Sequence, residues 1–243
     1  MTWSEWLMVG GAVLVAATAQ YTAGFGFSLL GVPLMALAID TRDAVVIAVW
    51  LGLVTSAVQT VEGRSIVDRP VARRLVGGTL IGIPIGSTVF VAVPERTLTA
   101  ILGVSVLIAV VLLARGVELA TARRGPEWLA GIVSGALASS LSTNGPPLVA
   151  VLQARRYPIA VFRATINTVF AFANVVTLFA FVITDELRLE QSWWAAVCLP
   201  LVGIGLLIGS RARRLVDEVR ARRLVLTLLG VAGCSAVVSA VAG

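Results

Sequence analysis

Ser142-Thr143-Asn144-Gly145-Pro146-Pro147 interrupts an apolar stretch that begins near residue 127 and runs to about residue 154. Glycine frees the backbone, and each proline removes an N–H donor and blocks the turn before it, so a helix has to break here. A second interruption, Thr22-Ala23-Gly24-Phe25-Gly26, separates apolar residues 4–22 from 26–39. How these two breaks are drawn decides the topology.

Outward from the breaks the chain stays apolar. Hydrophobic residues make up 58% of its 243 positions and charged ones 13%, about half the 25% or so that a water-facing surface requires. The further apolar segments are 44–61, 71–92, 97–114, 164–184, 192–210 and 224–242. Most approach the roughly 20 residues that cross a hydrocarbon core. None alternates strictly, which excludes a closed outer-membrane barrel. The chain is read as all-α and polytopic in a membrane. The first residues carry Glu5 and no basic flank, so they are read as the entry to a retained span, not a cleaved signal.

All 19 basic residues are arginine. They sit in short loops between apolar runs, the pattern of cytoplasmic membrane loops and not of a nucleic-acid groove. They also arbitrate between the topologies. If each broken stretch is one continuous span, the arginines divide 8 to 11 between the faces. If each is a hairpin that enters and leaves on one face, the second half is inverted and the division becomes 16 to 3. The sparse face then holds only Arg42, Arg96 and Arg188. A cytoplasmic face should carry such an excess. The hairpin reading gives six full spans, two broken or re-entrant hairpins and both termini outside the cytoplasm. Segment 145–154 is too short to span, at 1.5 Å per residue, and stops near the midplane.

The chain also repeats itself. Leu98-Thr99-Ala100-Ile101-Leu102-Gly103-Val104 matches Val225-Leu226-Thr227-Leu228-Leu229-Gly230-Val231, and Gly82-Ile83-Pro84-Ile85-Gly86-Ser87 matches Gly205-Leu206-Leu207-Ile208-Gly209-Ser210. Pro33-Leu34 is paired with Pro147-Leu148. Residues 1–115 and 116–243 therefore read as two repeats, the second inverted, within one membrane domain, the usual build of secondary transporters. Gly78, Gly82 and Gly86, like Gly205 and Gly209, recur every four residues, a spacing that lets helix backbones approach closely.

Two tips entering from opposite faces would meet near the midplane, where broken backbone is tolerated only around a cavity or inside protein. The half-helices after the breaks would aim free N–H groups and positive dipole ends there. Candidate ligand residues are Gln20, Tyr21, Thr22, Gly24, Gly26 and Ser28 at the first tip, and Ser139, Ser140, Ser142, Thr143, Asn144, Gly145 and Pro146 at the second. Hydroxyls and amides donate to an oxyanion without bringing a full charge into the membrane. Asn167 and Asn174, seven apart, share a helix face, as do Thr55 and Gln59, four apart. Capping of the breaks and bonds between neighbouring helices are the structural alternatives for all of these. Arg163, at the cytoplasmic edge, either draws anions to the mouth or is one more positive-inside arginine. Asp40 and Asp43 beside Arg42 are expected to form a solvated group at the outer foot of the first hairpin, and Cys198 and Cys234 to be small packing residues.

With no His, no Lys and no acid inside any span, the chain offers no proton relay, metal site or catalytic base. No cofactor is expected, and a membrane-embedded enzyme is the weakest reading. The expected partners are a small anion and the lipid bilayer, with self-association left open. A proton carried on the substrate itself would account for the missing relay.

Gly131-Ile132-Val133-Ser134-Gly135, Asn144-Gly145-Pro146-Pro147-Leu148 and Phe162-Arg163-Ala164-Thr165 together resemble the second half of the sulfite exporter TauE/SafE family, also called the 4-toluene sulfonate uptake permease family. Gly24-x-Gly26 and Pro33-Leu34 resemble its first half. The resemblance implies export or uptake of sulfite, of sulfonates such as sulfoacetate, or of related organosulfur anions. Where that family tends to have glycine in the turns, this chain has Ser28, Ser142 and Asn144. The expected function is thus a secondary transporter that binds a sulfur-containing anion between the tips, with a passive anion channel as the alternative.

Overall fold

A computed structural model describes residues 2–115, 125–153, 155, 157–215 and 218–242. The linkers bearing Arg123, Arg124 and Arg156, and the boundary between the repeats, lie outside the described residues. Ten helices follow one another: α1 Trp3–Ala23, α2 Phe27–Met35, α3 Thr41–Gly63, α4 Arg69–Ala92, α5 Glu95–Arg115, α6 Gly125–Leu141, α7 Gly145–Gln153, α8 Ile159–Ile183, α9 Leu189–Leu215 and α10 Glu218–Ala242. No strand occurs among the described residues.

The local causes are plain in the sequence. Thr2 and Glu5 close a reciprocal capping box on α1, which satisfies two N–H groups that the first turn leaves open. Asp68 caps α4 through the Val71 N–H. Both predicted breaks occur, as three-residue turns between α1 and α2 and between α6 and α7. Gly24 and Gly26 adopt φ of 91° and 106°, a region open to glycine without the Cβ clash. The second break reaches the same region with Ser142 at φ 56°, a strained position for a residue with a side chain.

Among the described residues, six helices are long and apolar enough to cross a membrane: α1, α3, α4, α5, α8 and α9. Helix α1, at 21 residues, is itself of spanning length, so the first broken pair has one long arm and one arm of 9 residues. The second has arms of 17 and 9. Leu80, Ile81 and Ile85 on α4, Ile101, Val104 and Ile108 on α5, and Phe179 and Val182 on α8 are exposed. In water such a belt would drive aggregation; in lipid it is the solvated face.

The packing is set by small residues. Helix α4 lies directly on α6, because a Cβ on Gly78, Gly82 or Gly86 would overlap the carbonyls of Trp128, Ile132 and Ala136. Gly131 and Gly135 answer from α6 against Leu75 and Thr79. Helix α9 lies on α1 in the same manner, with Gly205 and Gly209 against Ala17 and Thr18. Helix α3 pairs with α8, and α5 with α10. Helix α3 is the axis of the molecule: Ala44 to Val49 and Leu51 have no exposed surface.

Charged residues gather at the two ends of α4. At its C-terminal end Arg42 contacts Glu95 at 3.6 Å and Glu186 at 3.4 Å, donates to the carbonyl of Val93 at 2.8 Å, and stacks over Phe90. The anticipated grouping with Asp40 and Asp43 is therefore replaced: Asp43 accepts from Gln191 instead. At the other end Glu127, at the foot of α6, bridges Arg74 and Arg155. Glu127 is 1% exposed, a buried acid in the first turn of α6. Two arginines explain how burial is tolerated. Of the cysteines, Cys198 is buried and Cys234 is exposed.

Candidate functional site

The two breaks approach one another beside the middle turns of α3 and α8. Between them lies a cavity of about 20 Å³ lined by Gln20, Gly26, Phe27, Ser28, Leu29, Gly52, Ser142, Thr143, Asn144, Gly145, Phe170 and Asn174. Free volume of that size holds about one water-sized group. Gly52 makes the space: a Cβ there would meet Asn174 Nδ2 at 3.2 Å and Ser28 Oγ at 3.5 Å. Phe27, Leu29 and Phe170 supply apolar walls.

Every break joins the negative end of one helix to the positive end of the next, so dipoles alone decide little. The hydrogen-bond inventory decides more. At the first break three carbonyls are taken. Gly24 N–H donates to the Gln20 carbonyl at 2.6 Å, Asn167 Nδ2 to the Gly24 carbonyl at 2.9 Å, and Arg163 Nη2 to the Thr22 carbonyl at 2.5 Å. Gln20 ties the turn together, receiving the Phe27 N–H at 3.1 Å and donating to Asn167 Oδ1 at 3.2 Å. At the second break the Ala138 and Leu137 carbonyls accept from the Ser142 and Thr143 N–H groups, and the Asn144 carbonyl from the Ser134 hydroxyl at 2.9 Å.

Three side-chain groups are not taken. Ser142 Oγ, Thr143 Oγ1 and Asn144 Nδ2 are buried without a hydrogen-bond partner, and their residues are 2%, 2% and 8% exposed. Three orphaned polar groups in consecutive positions are unusual, because each such group costs about 1–3 kcal/mol when buried unsatisfied. Pro146 and Pro147 carry no N–H, so side chains, more than the amides expected from the half-helix, supply the donors at this tip. Each of the three can donate a hydrogen bond, and donors converging on one cavity suit an anion.

The remaining candidates lie elsewhere. Asn167 is consumed by Gln20, Gly24 and, at 3.4 Å, Gln59 Oε1; it clamps the first break and does not face the cavity. The Thr55 hydroxyl returns to the Gly52 carbonyl and Gln59 Nε2 to the Thr55 carbonyl. Tyr21 bonds Glu62, Thr22 bonds the Thr18 carbonyl, and Ser139 and Ser140 bond carbonyls of α4 and α6. Gly24 sits in the first break and Pro146 at the start of α7, both outside the lining. Arg163 lies across the first break, packed on Gly24.

Gly52 and Phe170 were not singled out from the sequence. Phe170 lies between Asn167 and Asn174 on their shared face, and Gly52 three residues before Thr55, so helical spacing points to both. The Pro33–Pro147 pairing does not hold: Pro33 lies in the last turns of α2 and Pro147 in the first turn of α7. Among the described residues no group of His, Cys, Asp or Glu is placed to hold a metal.

Beneath the second broken pair, Tyr157 donates to Asp68 Oδ2 at 2.5 Å. Burial works to raise the Asp68 carboxyl, but the Tyr157 hydroxyl, the Val71 N–H and the Arg155 and Arg74 charges hold it below its usual value. Burial, then the bond to Asp68, pushes Tyr157 up to about 12.

Residues 9–236 match the protein family described as Sulfite exporter TauE/SafE. Among curated proteins, the chain is 31% identical over 121 residues to the "Probable inner membrane transporter protein TsaS" of Comamonas testosteroni. That match covers 47% of this chain and 49% of the relative, so the chain spans about half the length of the curated relative it matches. No solved structure matches.

Proposed function

This chain belongs to the sulfite exporter TauE/SafE family of membrane transporters, and from that premise we propose that it carries a small sulfur-containing anion, sulfite or a sulfonate, across the inner membrane by alternating access. The carrying observation is the row of unpartnered donors at Ser142, Thr143 and Asn144, buried in a cavity between two helix breaks. Ser28 and Asn174 add polar groups from α2 and α8, and these side chains replace the hydration shell that the anion gives up.

In this reading the halves, 1–115 and 116–243, are inverted repeats, and the broken pairs are hairpins that enter from opposite faces. The packing supports it. Exchanging the first five helices for the last five turns the α4–α6 contact into α9–α1 and maps α3–α8 and α5–α10 onto themselves. Gly82 and Gly86 correspond to Gly205 and Gly209, and both pairs press on the long arm of the opposite hairpin. Rocking of one half against the other then exposes the cavity to each side in turn. The arginine-rich ends face the cytoplasm and both termini lie outside it. An inside-negative potential favours outward movement of an anion, by about 2.3 kcal/mol per charge per 100 mV.

Binding of sulfite to purified protein, followed by calorimetry, tests the site. Thr143→Val combined with Asn144→Leu is expected to weaken affinity at least tenfold, since each hydrogen bond to a charged group contributes about 1.5–3 kcal/mol. Unchanged affinity in a folded variant overturns the tip site. Counterflow of labelled sulfite in proteoliposomes separates a carrier, which shows it, from a channel, which does not.

A further inference from the structure

Resting on that site, we infer that it sorts anions by charge state, accepting a singly charged tri-oxo sulfur group and rejecting an oxo group that itself carries two charges, such as sulfate or the sulfite dianion. Among the described residues no charged side chain lines the cavity. The countercharge is made only of dipoles: the hydroxyls of Ser28, Ser142 and Thr143 and the carboxamides of Asn144 and Asn174. The cost of removing an ion from water rises with the square of its charge, while its attraction to fixed dipoles rises only in proportion. A dianion is therefore about four times as costly to bury as a monoanion of its size, and gains only about twice the attraction. A pocket without a formal cation balances the first and not the second. The cavity is also narrow and walled by Phe27, Leu29 and Phe170, which keeps out the water that would soften the penalty.

The ionisable groups on the surrounding elements do not alter this. On α8 the Arg163 guanidinium is bonded to the Thr22 carbonyl at the C-terminal end of α1, where its charge offsets the negative end of that helix. On α1 and α3, Tyr21 and Glu62 bond each other at the exposed end, and Arg42 and Asp43 stand at the opposite end of α3, outside the lining. On α6 and after α7, Glu127 and Arg155 pair with one another at the foot. Helix α2 carries no ionisable side chain, and the chain contains no histidine. The titrating partner is thus the substrate. Sulfite enters as hydrogensulfite, which brings its own proton, and a protein-borne proton relay is not needed.

Competition binding on the unmodified protein in detergent, using sulfite, methanesulfonate and sulfate on either side of neutrality, tests the inference. Methanesulfonate stays singly charged throughout, sulfite changes from hydrogensulfite to the dianion as pH rises, and sulfate stays doubly charged. Expected are a constant affinity for methanesulfonate, an apparent sulfite affinity that falls about tenfold per pH unit above the second ionisation of sulfurous acid, and no competition by sulfate. If methanesulfonate binds but sulfite shows no pH dependence, or sulfate competes equally, charge selection is overturned and the tip site stands. If none of the three binds, the proposed site itself falls, and the inference with it.

Discussion

Gly24 and Ser142 occupy matching corners of the two breaks, yet only one of them is glycine. A Cβ on Gly24 would overlap Arg163 Cγ, and its φ of 91° suits no other residue. Gly24→Ala is expected to cost about 1–2 kcal/mol and to displace Arg163 from the Thr22 carbonyl, seen as a lower unfolding temperature in detergent. Ser142→Gly relieves the backbone and removes one orphaned hydroxyl, so unfolding temperature should rise by up to a few degrees while anion affinity falls. A rise in both would mean that the hydroxyl serves no ligand. At the foot of the second pair the titrations have opposite signs. Asp68 has a lowered folded pKa, so its contribution is present at neutral pH and is lost in acid, below its ordinary 3.8. Tyr157 has a raised one, so its contribution is present below about 10 and is lost as pH climbs toward about 12. Tyr157→Phe should flatten the alkaline limb of an unfolding profile measured against pH.

At the scale of elements, the α4–α6 and α1–α9 crossings depend on missing side chains. Gly82→Leu would drive a side chain into the Ile132 carbonyl and should cost about 3 kcal/mol or more, leaving little folded protein after purification. Gly203→Ala and Gly230→Ala meet nothing within 4 Å and should be neutral or stabilising by up to about 1 kcal/mol. The charge clusters mark the ends of these crossings. One arginine between two glutamates joins α3, the start of α5 and the loop after α8; one glutamate between two arginines joins α4, α6 and the turn after α7. Glu127→Gln leaves two partly exposed arginines facing each other, at a cost of about 1–3 kcal/mol once solvent screening is allowed for. Chemical unfolding against urea in mixed micelles would measure it.

For the whole molecule, the proposed inversion makes a prediction about sides. Cysteines introduced into residues 211–223 should react only from the cytoplasm, and those at either terminus only from outside; a cytoplasmic C-terminus would contradict the two hairpins. In the proposed alternating-access reading, the narrow cavity is that of a transporter between its open states, with neither charge cluster parted and about 20 Å³ of space between the breaks. A small oxyanion then requires the tips to separate slightly, which couples binding to movement of the halves.

Helix number and both breaks follow from local chemistry, and were legible at Gly24, Gly26, Gly145 and Pro146 because glycine and proline act on their own backbone whatever surrounds them; helix limits were not, since α9 runs past its apolar segment to Leu215 and α10 starts before its own at Glu218. Membrane residence was legible for a similar reason: apolar length is a property of each segment alone. The site was legible only in part. Ser142, Thr143, Asn144, Ser28 and Asn174 were among the candidates, but so were Asn167, Thr55, Gln59 and Ser139, which have the same chemistry and spend it on neighbouring backbone. Which polar side chain keeps a free donor depends on which carbonyl another helix brings within 3 Å, and only tertiary packing decides that. Gly52 makes the same point from the other side, since the space it leaves has meaning only once α2 and α8 lie beside it.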